Sequence, residues 1–99
     1  MVTISILLTL QIPSAQSLKD KRAVVRSLVE RLRKRLDLSA AEVGLQDDPR
    51  RAQIGFAVVS ETASLARELT ERALRFAEQE LIGRAEIIDA ARDERVLRS

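Results

Sequence analysis

The chain has no cysteine and no histidine. Without cysteine there is no disulfide framework, no thiolate metal cluster and no thiol nucleophile, which fits a reducing cytoplasm. Without histidine the usual zinc ligand sets, the usual general base and the serine triad are unavailable. Any chemistry would rest on carboxylates, hydroxyls or arginine. Tryptophan and tyrosine are absent too, and the two phenylalanines, Phe56 and Phe76, fall at positions expected in a core. That removes the aromatic platform on which an RNA-recognition motif stacks bases. No segment approaches the roughly 20 apolar residues of a membrane-spanning helix. The opening run "MVTISILLTLQIPSAQ" carries no basic residue before Lys19 and is interrupted by Thr3, Ser5, Thr9 and Gln11. It reads as a strand rather than a signal peptide, and a soluble cytoplasmic protein without a membrane partner is expected.

What is present suits one compact domain. Ninety-nine residues, 45% hydrophobic and 32% charged, are enough for one core and too few for two, so residues 1–99 form the working unit. Val2, Ile4, Ile6, Leu8, Leu10 and Ile12 alternate with Thr3, Ser5, Leu7, Thr9 and Gln11, the period of a strand with one buried face. Pro13 ends it, Ser17 is a good N-cap, and Leu18, Val25, Leu28, Val29, Leu32 and Leu36 recur at helical spacing. Two further strands are expected around Leu38 to Leu45 and Ala52 to Ser60, joined by "QDDPRR", where Asp48 and Pro49 suit a type I turn. A second helix, capped by Ser60 or Thr62 and running to about Glu80, would bury Leu65, Leu69, Ala73, Phe76 and Ala77. After Gly83 the segment "RAEIIDAAR" reads as a short last strand.

The order is βαββαβ, the split βαβ of a ferredoxin-like α+β fold: a four-stranded antiparallel sheet with two helices on one face and the first and third strands central. The other face would be left to solvent or a partner. Thr3, Ser5, Leu7, Thr9 and Gln11 from the first strand, with Gln53, Gly55, Ala57 and Val59 from the third, are placed there.

Charge is unevenly distributed. Between Ser17 and Leu36 there are eight basic residues (Lys19, Lys21, Arg22, Arg26, Arg31, Arg33, Lys34, Arg35) against Asp20 and Glu30; the rest of the chain has nine basic against thirteen acidic. At about 100° per residue, Lys19, Arg22, Arg26 and Arg33 fall in one narrow arc. A stripe of cations is what a phosphate backbone requires, because each neutralised phosphate releases counterions. Lys21 is counted with this group, and Arg50 and Arg51 at the hairpin tip would extend it. The competing reading is a solvated helix face in an arginine-rich protein, where fourteen of the seventeen basic residues are arginine. Lys34 and Arg35 offset the helix dipole, whereas Lys19, Lys21 and Arg22 lie where cations are unfavourable, so dipole complementation does not explain them.

Other chemistries of this fold lack their residues. There is no CxxC pair for a metal, and the loop after the first strand, "PSAQS", has neither the arginine nor the glycines of an acylphosphatase-like anion cradle. Asp37, Glu42, Asp47 and Asp48 are the only possible acid cluster, and nothing in the sequence positions a partner for them. No cofactor, no metal and no catalytic residue is therefore expected. Two functions remain: a non-catalytic protein binding structured RNA through Lys19, Lys21, Arg22, Arg26, Arg33, Arg50 and Arg51, or an interaction or homodimerisation module whose interface is Thr3, Ser5, Leu7, Thr9, Ala57 and Val59.

The segments "LTLQIPSAQSLKDKRAVVRSLVERLRKRLDLSAAEVGLQD" and "RRAQIGFAVVS" resemble the YlxP-like family of small bacterial proteins, most specifically in "QSLKDKR" and "SAAEV". The resemblance extends to about Phe76. It implies a ferredoxin-like fold, a cytoplasmic bacterial protein and a gene often found near translation and ribosome-maturation genes, and it supplies no catalytic residues. By position, the family's lysine-rich helix start falls on Lys19, Lys21 and Arg22, and its acidic-valine element on Glu42 and Val43. A histidine before the glutamine and a hairpin aromatic, expected in typical members, are replaced here by Leu45 and by Pro49 with Arg50.

Overall fold

The computed structural model describes residues 1–98. The elements follow in the order β1 (Val2–Gln11), α1 (Leu18–Leu36), β2 (Ser39–Gly44), β3 (Arg51–Ser60), α2 (Ala63–Leu81) and β4 (Glu86–Val96). All strands lie in one antiparallel sheet of order β2-β3-β1-β4, so β1 and β3 are central, as their continuous apolar faces require. The even-numbered residues of β1 and β3, among them Ile4, Leu8, Leu10, Ile54 and Val58, form the core with Val25, Leu28 and Leu32 of α1 and Ala66, Ala73 and Ala77 of α2.

Both helix starts are closed by side chains. Ser17 Oγ accepts from Asp20 N at 3.2 Å, while Asp20 Oδ2 accepts from Gln16 N at 3.0 Å, so the first turn of α1 is tied down reciprocally. Thr62, rather than Ser60, caps α2 through Leu65 N; the Ser60 hydroxyl accepts from Thr62 N one step earlier.

Two sequence expectations are corrected. The buried stripe of α2 is Ala66, Thr70, Ala73, Ala77 and Leu81, and Leu65 is exposed. Small side chains bring the helix close to the sheet, and Thr70 is tolerated there because its Oγ1 donates to the Ala66 carbonyl at 2.8 Å. β4 is also longer than expected, running to Val96, and nearly all of it is exposed. Helix-facing positions of this strand carry Arg92 and Glu94, which reach Glu71 and Arg67 of α2 instead of entering the core.

Candidate nucleic-acid interface

Lys19, Arg22, Arg26 and Arg33 are all exposed on α1. Arg22, Arg26 and Arg33 line a groove with Val25, Val29, Ala41 and Glu42, between the helix and the edge strand. Arg33 is partly spent on holding that groove, since its Nε donates to the Ala40 carbonyl at 2.8 Å. On the other flank Arg26, Arg31, Lys34 and Arg35 surround a shallow depression containing Ser27 and Glu30. Arg31 is paired with Glu80 of α2. Among the described residues, no carboxylate lies within ion-pair distance of Lys19, Arg22, Arg26, Arg33, Lys34 or Arg35.

Lys21 is a correction. It is fully buried, and its Nζ donates to the carbonyls of Leu45 at 2.8 Å and Gln46 at 3.1 Å and lies 3.4 Å from Glu42 Oε2. A phosphate cannot reach it. The helical wheel carried the signal: at about 100° per residue Lys21 falls within about 20° of Leu28 and Leu32 and far from Lys19 and Arg22. It is a cation on the apolar face, and a buried cation must find oxygen partners.

The hairpin arginines separate. Arg50 Nε donates to the Ala15 carbonyl at 3.3 Å, which sets this residue beside the loop leading into α1 and so near the start of the stripe. Arg51 stands opposite Gln11 in the ladder, on the alternation that faces away from the helices, and its guanidinium is paired with Asp48 at 3.2 Å. It does not extend the stripe. Asp48 is explained by the turn: Oδ1 accepts from the backbone N–H groups of Arg50 and Arg51, both at 2.9 Å, and these bonds hold its carboxyl below the usual range. Glu42 is likewise explained by Lys21. These acids have structural partners, and Asp37 ends α1 in the left-handed conformation.

The face opposite the helices bears the proposed interface residues Thr3, Ser5, Leu7, Thr9, Ala57 and Val59, with Ser5 and Val59 exposed and the others half-buried. Ser5, Ser39, Ala41, Gly55 and Ala57 bound a shallow depression on it. Register adds Asp89, Ala91, Asp93 and Arg95 of β4 to the same face; Asp93 and Arg95 lie beyond the segment expected for the last strand, so their charges were not legible there from the sequence. No helix is long and apolar enough to cross a membrane.

Comparison with known proteins places the chain in a family. Residues 3–92 match the model described as "Protein of unknown function (DUF503)", and the chain belongs to that family. It is 36% identical over 62 residues to the uncharacterized protein YlxP of Bacillus subtilis, a match covering 63% of this chain and 67% of that protein. Solved structures share the fold at low identity. A de novo designed protein with ferredoxin fold superposes with a TM-score of 0.61 at 14% identity, covering 98% of this chain and 88% of that one. A dimeric ferredoxin-like protein from an uncultured marine organism gives 0.56 at 12% identity over the full length of both chains. A dimeric protein of unknown function from Bacteroides fragilis gives 0.54 at 12%, covering 97% and 96%.

Proposed function

We propose that this protein is a non-catalytic RNA-binding accessory factor, acting in ribosome assembly or translation, that contacts the phosphates of structured RNA through Lys19, Arg22, Arg26 and Arg33, with Arg50 at the start of the track. The observation that carries the reading is the set of exposed α1 cations without carboxylate partners among the described residues, beside a groove lined by three arginines. Lys21, next to Arg22 in sequence but buried, is excluded from the contact set. The gene neighbourhood implied by the family resemblance supports a translation role. Without aromatic stacking residues, recognition proceeds by backbone shape and charge, with little sequence preference and a steep salt dependence.

Filter binding to a structured RNA across a salt series tests this. Arg22→Gln with Arg26→Gln should weaken binding alike for different RNAs and flatten the salt slope by about one to two units, at about 0.9 per lost duplex contact. Absence of binding at low salt, or a double variant that binds as the wild type does, rejects the proposal.

A second reading is an interaction module working through the open sheet face. It is favoured by the small residues around the depression at Gly55 and by the dimeric state named for two structural neighbours. Leu7→Glu, which puts a charge opposite Gly55, should then abolish association in sedimentation; unchanged association removes this reading.

A further inference from the structure

β4 is a sheet edge, eleven residues long, and every residue from Ile88 to Val96 is exposed. Its backbone polarity can be read from one pair. Met1 and Leu97 exchange both main-chain hydrogen bonds, at 2.9 and 2.8 Å. Doubly bonded pairs alternate with unbonded ones in an antiparallel ladder. With Thr3 opposite Arg95, Ser5 opposite Asp93 and Leu7 opposite Ala91, the odd-numbered residues of β4 spend their N–H and C=O groups on β1. Ala90, Arg92, Glu94 and Val96 therefore direct theirs to the free edge.

We propose that β4 pairs antiparallel with β4 of a second copy, about a two-fold axis at Asp93, forming a continuous eight-stranded sheet. This goes beyond the RNA reading and does not depend on it. The axis sets Ala90 opposite the partner's Val96 and Arg92 opposite the partner's Glu94. All four outward-directed residues thus meet outward-directed residues, which makes about eight inter-chain backbone bonds, two per narrow pair. The charges agree with this register. On the helix side Arg92 is already held by Glu71 at 2.6 Å and Glu94 by Arg67 at 2.7 Å. Pairing strings Glu71, Arg92, the partner's Glu94 and the partner's Arg67 into a row of alternating sign, twice over. On the open face Asp93 meets the partner's Asp93, each carrying its own counter-ion, Arg95, at 2.8 Å. Neighbouring registers fail. An axis at Arg92 opposes two Arg92 guanidiniums, and an axis at Ala91 loses the Arg92–Glu94 pairs by setting these residues opposite the partner's Ala90 and the partner's Ile88, while it opposes Asp89 and Asp93 twice. Charged edges also keep monomeric sheets apart; here the charges repeat in an order that matches their own two-fold copy. β2, the other edge, has six residues and a register break between Glu42 and Gly44, and offers no comparable ladder.

The test is sedimentation of the full chain without RNA at high micromolar concentration and low salt. The wild type should be dimeric. Arg92→Glu places Glu against Glu across the axis, and Glu94→Arg places Arg against Arg, so each should be monomeric alone while their equimolar mixture recovers the dimer. Ala90→Pro removes one outward donor without touching the β1 ladder and should give a folded monomer by circular dichroism, covering the case in which a charge variant fails to fold. Leu7→Glu should remain dimeric. A monomeric wild type, single charge variants that stay dimeric, or a mixture that stays monomeric overturns the proposal, and dissociation by Leu7→Glu moves the second copy to the open face.

Discussion

The Lys21 ammonium donates to the Leu45 carbonyl oxygen at 2.8 Å, fastening the turn after β2 to the early part of α1. Leu45 has φ 55°, in the left-handed region that costs an L-residue about 1–2 kcal/mol. The buried cation collects the carbonyls of Leu45 and Gln46 while Glu42 balances its charge. Lys21→Met should therefore cost about 2–3 kcal/mol in urea denaturation, the cost of losing hydrogen bonds from a charged donor and leaving Glu42 short of a partner. Adding Glu42→Leu should recover part of that loss. A Lys21→Met variant as stable as the wild type would show that the clamp contributes nothing net.

Arg33 should behave unlike its neighbours in the stripe. Its Nε bond to Ala40 O ties α1 to β2, so Arg33→Gln should lower stability by about 0.5–1.5 kcal/mol as well as weaken RNA binding. Arg22→Gln and Arg26→Gln should leave the denaturation midpoint nearly unchanged, because both side chains are exposed and unpaired among the described residues.

At the end of α1, Asp37 adopts φ 55° and ψ 41° with its N–H bonded to Leu32 O. An aspartate there bears both the left-handed penalty and a negative charge at the negative end of the helix. Asp37→Gly should stabilise the protein by about 1 kcal/mol, raising the melting temperature by about 4–8 °C for a domain of this size. A fall in melting temperature would mean that the carboxylate has an uncredited partner.

Asp48 sets a pH dependence. The Arg50 backbone N–H above all, with help from Arg51, lowers its carboxyl from the ordinary 3.8. A carboxyl depressed in the folded state stabilises the fold above the unfolded value and loses that contribution as pH falls through the lower, folded one. The window is therefore below about pH 4. Asp48→Asn should flatten this part of the stability profile in chemical denaturation between about pH 6 and about pH 2.5. An unchanged acid limb would assign it to other carboxylates, with Glu94, lowered chiefly by its Arg67 hydrogen bond, the next to test.

The sequence by itself determined the βαββαβ order, the central places of β1 and β3, the Ser17 cap and the arc of Lys19, Arg22, Arg26 and Arg33. Each depends on residues near one another in the chain, where alternation, helical spacing and capping chemistry act locally. Only the tertiary structure decided that Leu65 turns outward while Thr70 is buried, because which part of an amphipathic helix meets the sheet depends on how closely small residues let it approach. Only the tertiary structure gave Lys21 its partners, since the oxygens that receive it come from a turn 24 residues away. It also decided that Arg92 and Glu94 stand at a free edge paired to α2: strand register joins β4 to the first residues of the chain, and the outward direction of a backbone group exists only once that ladder has formed.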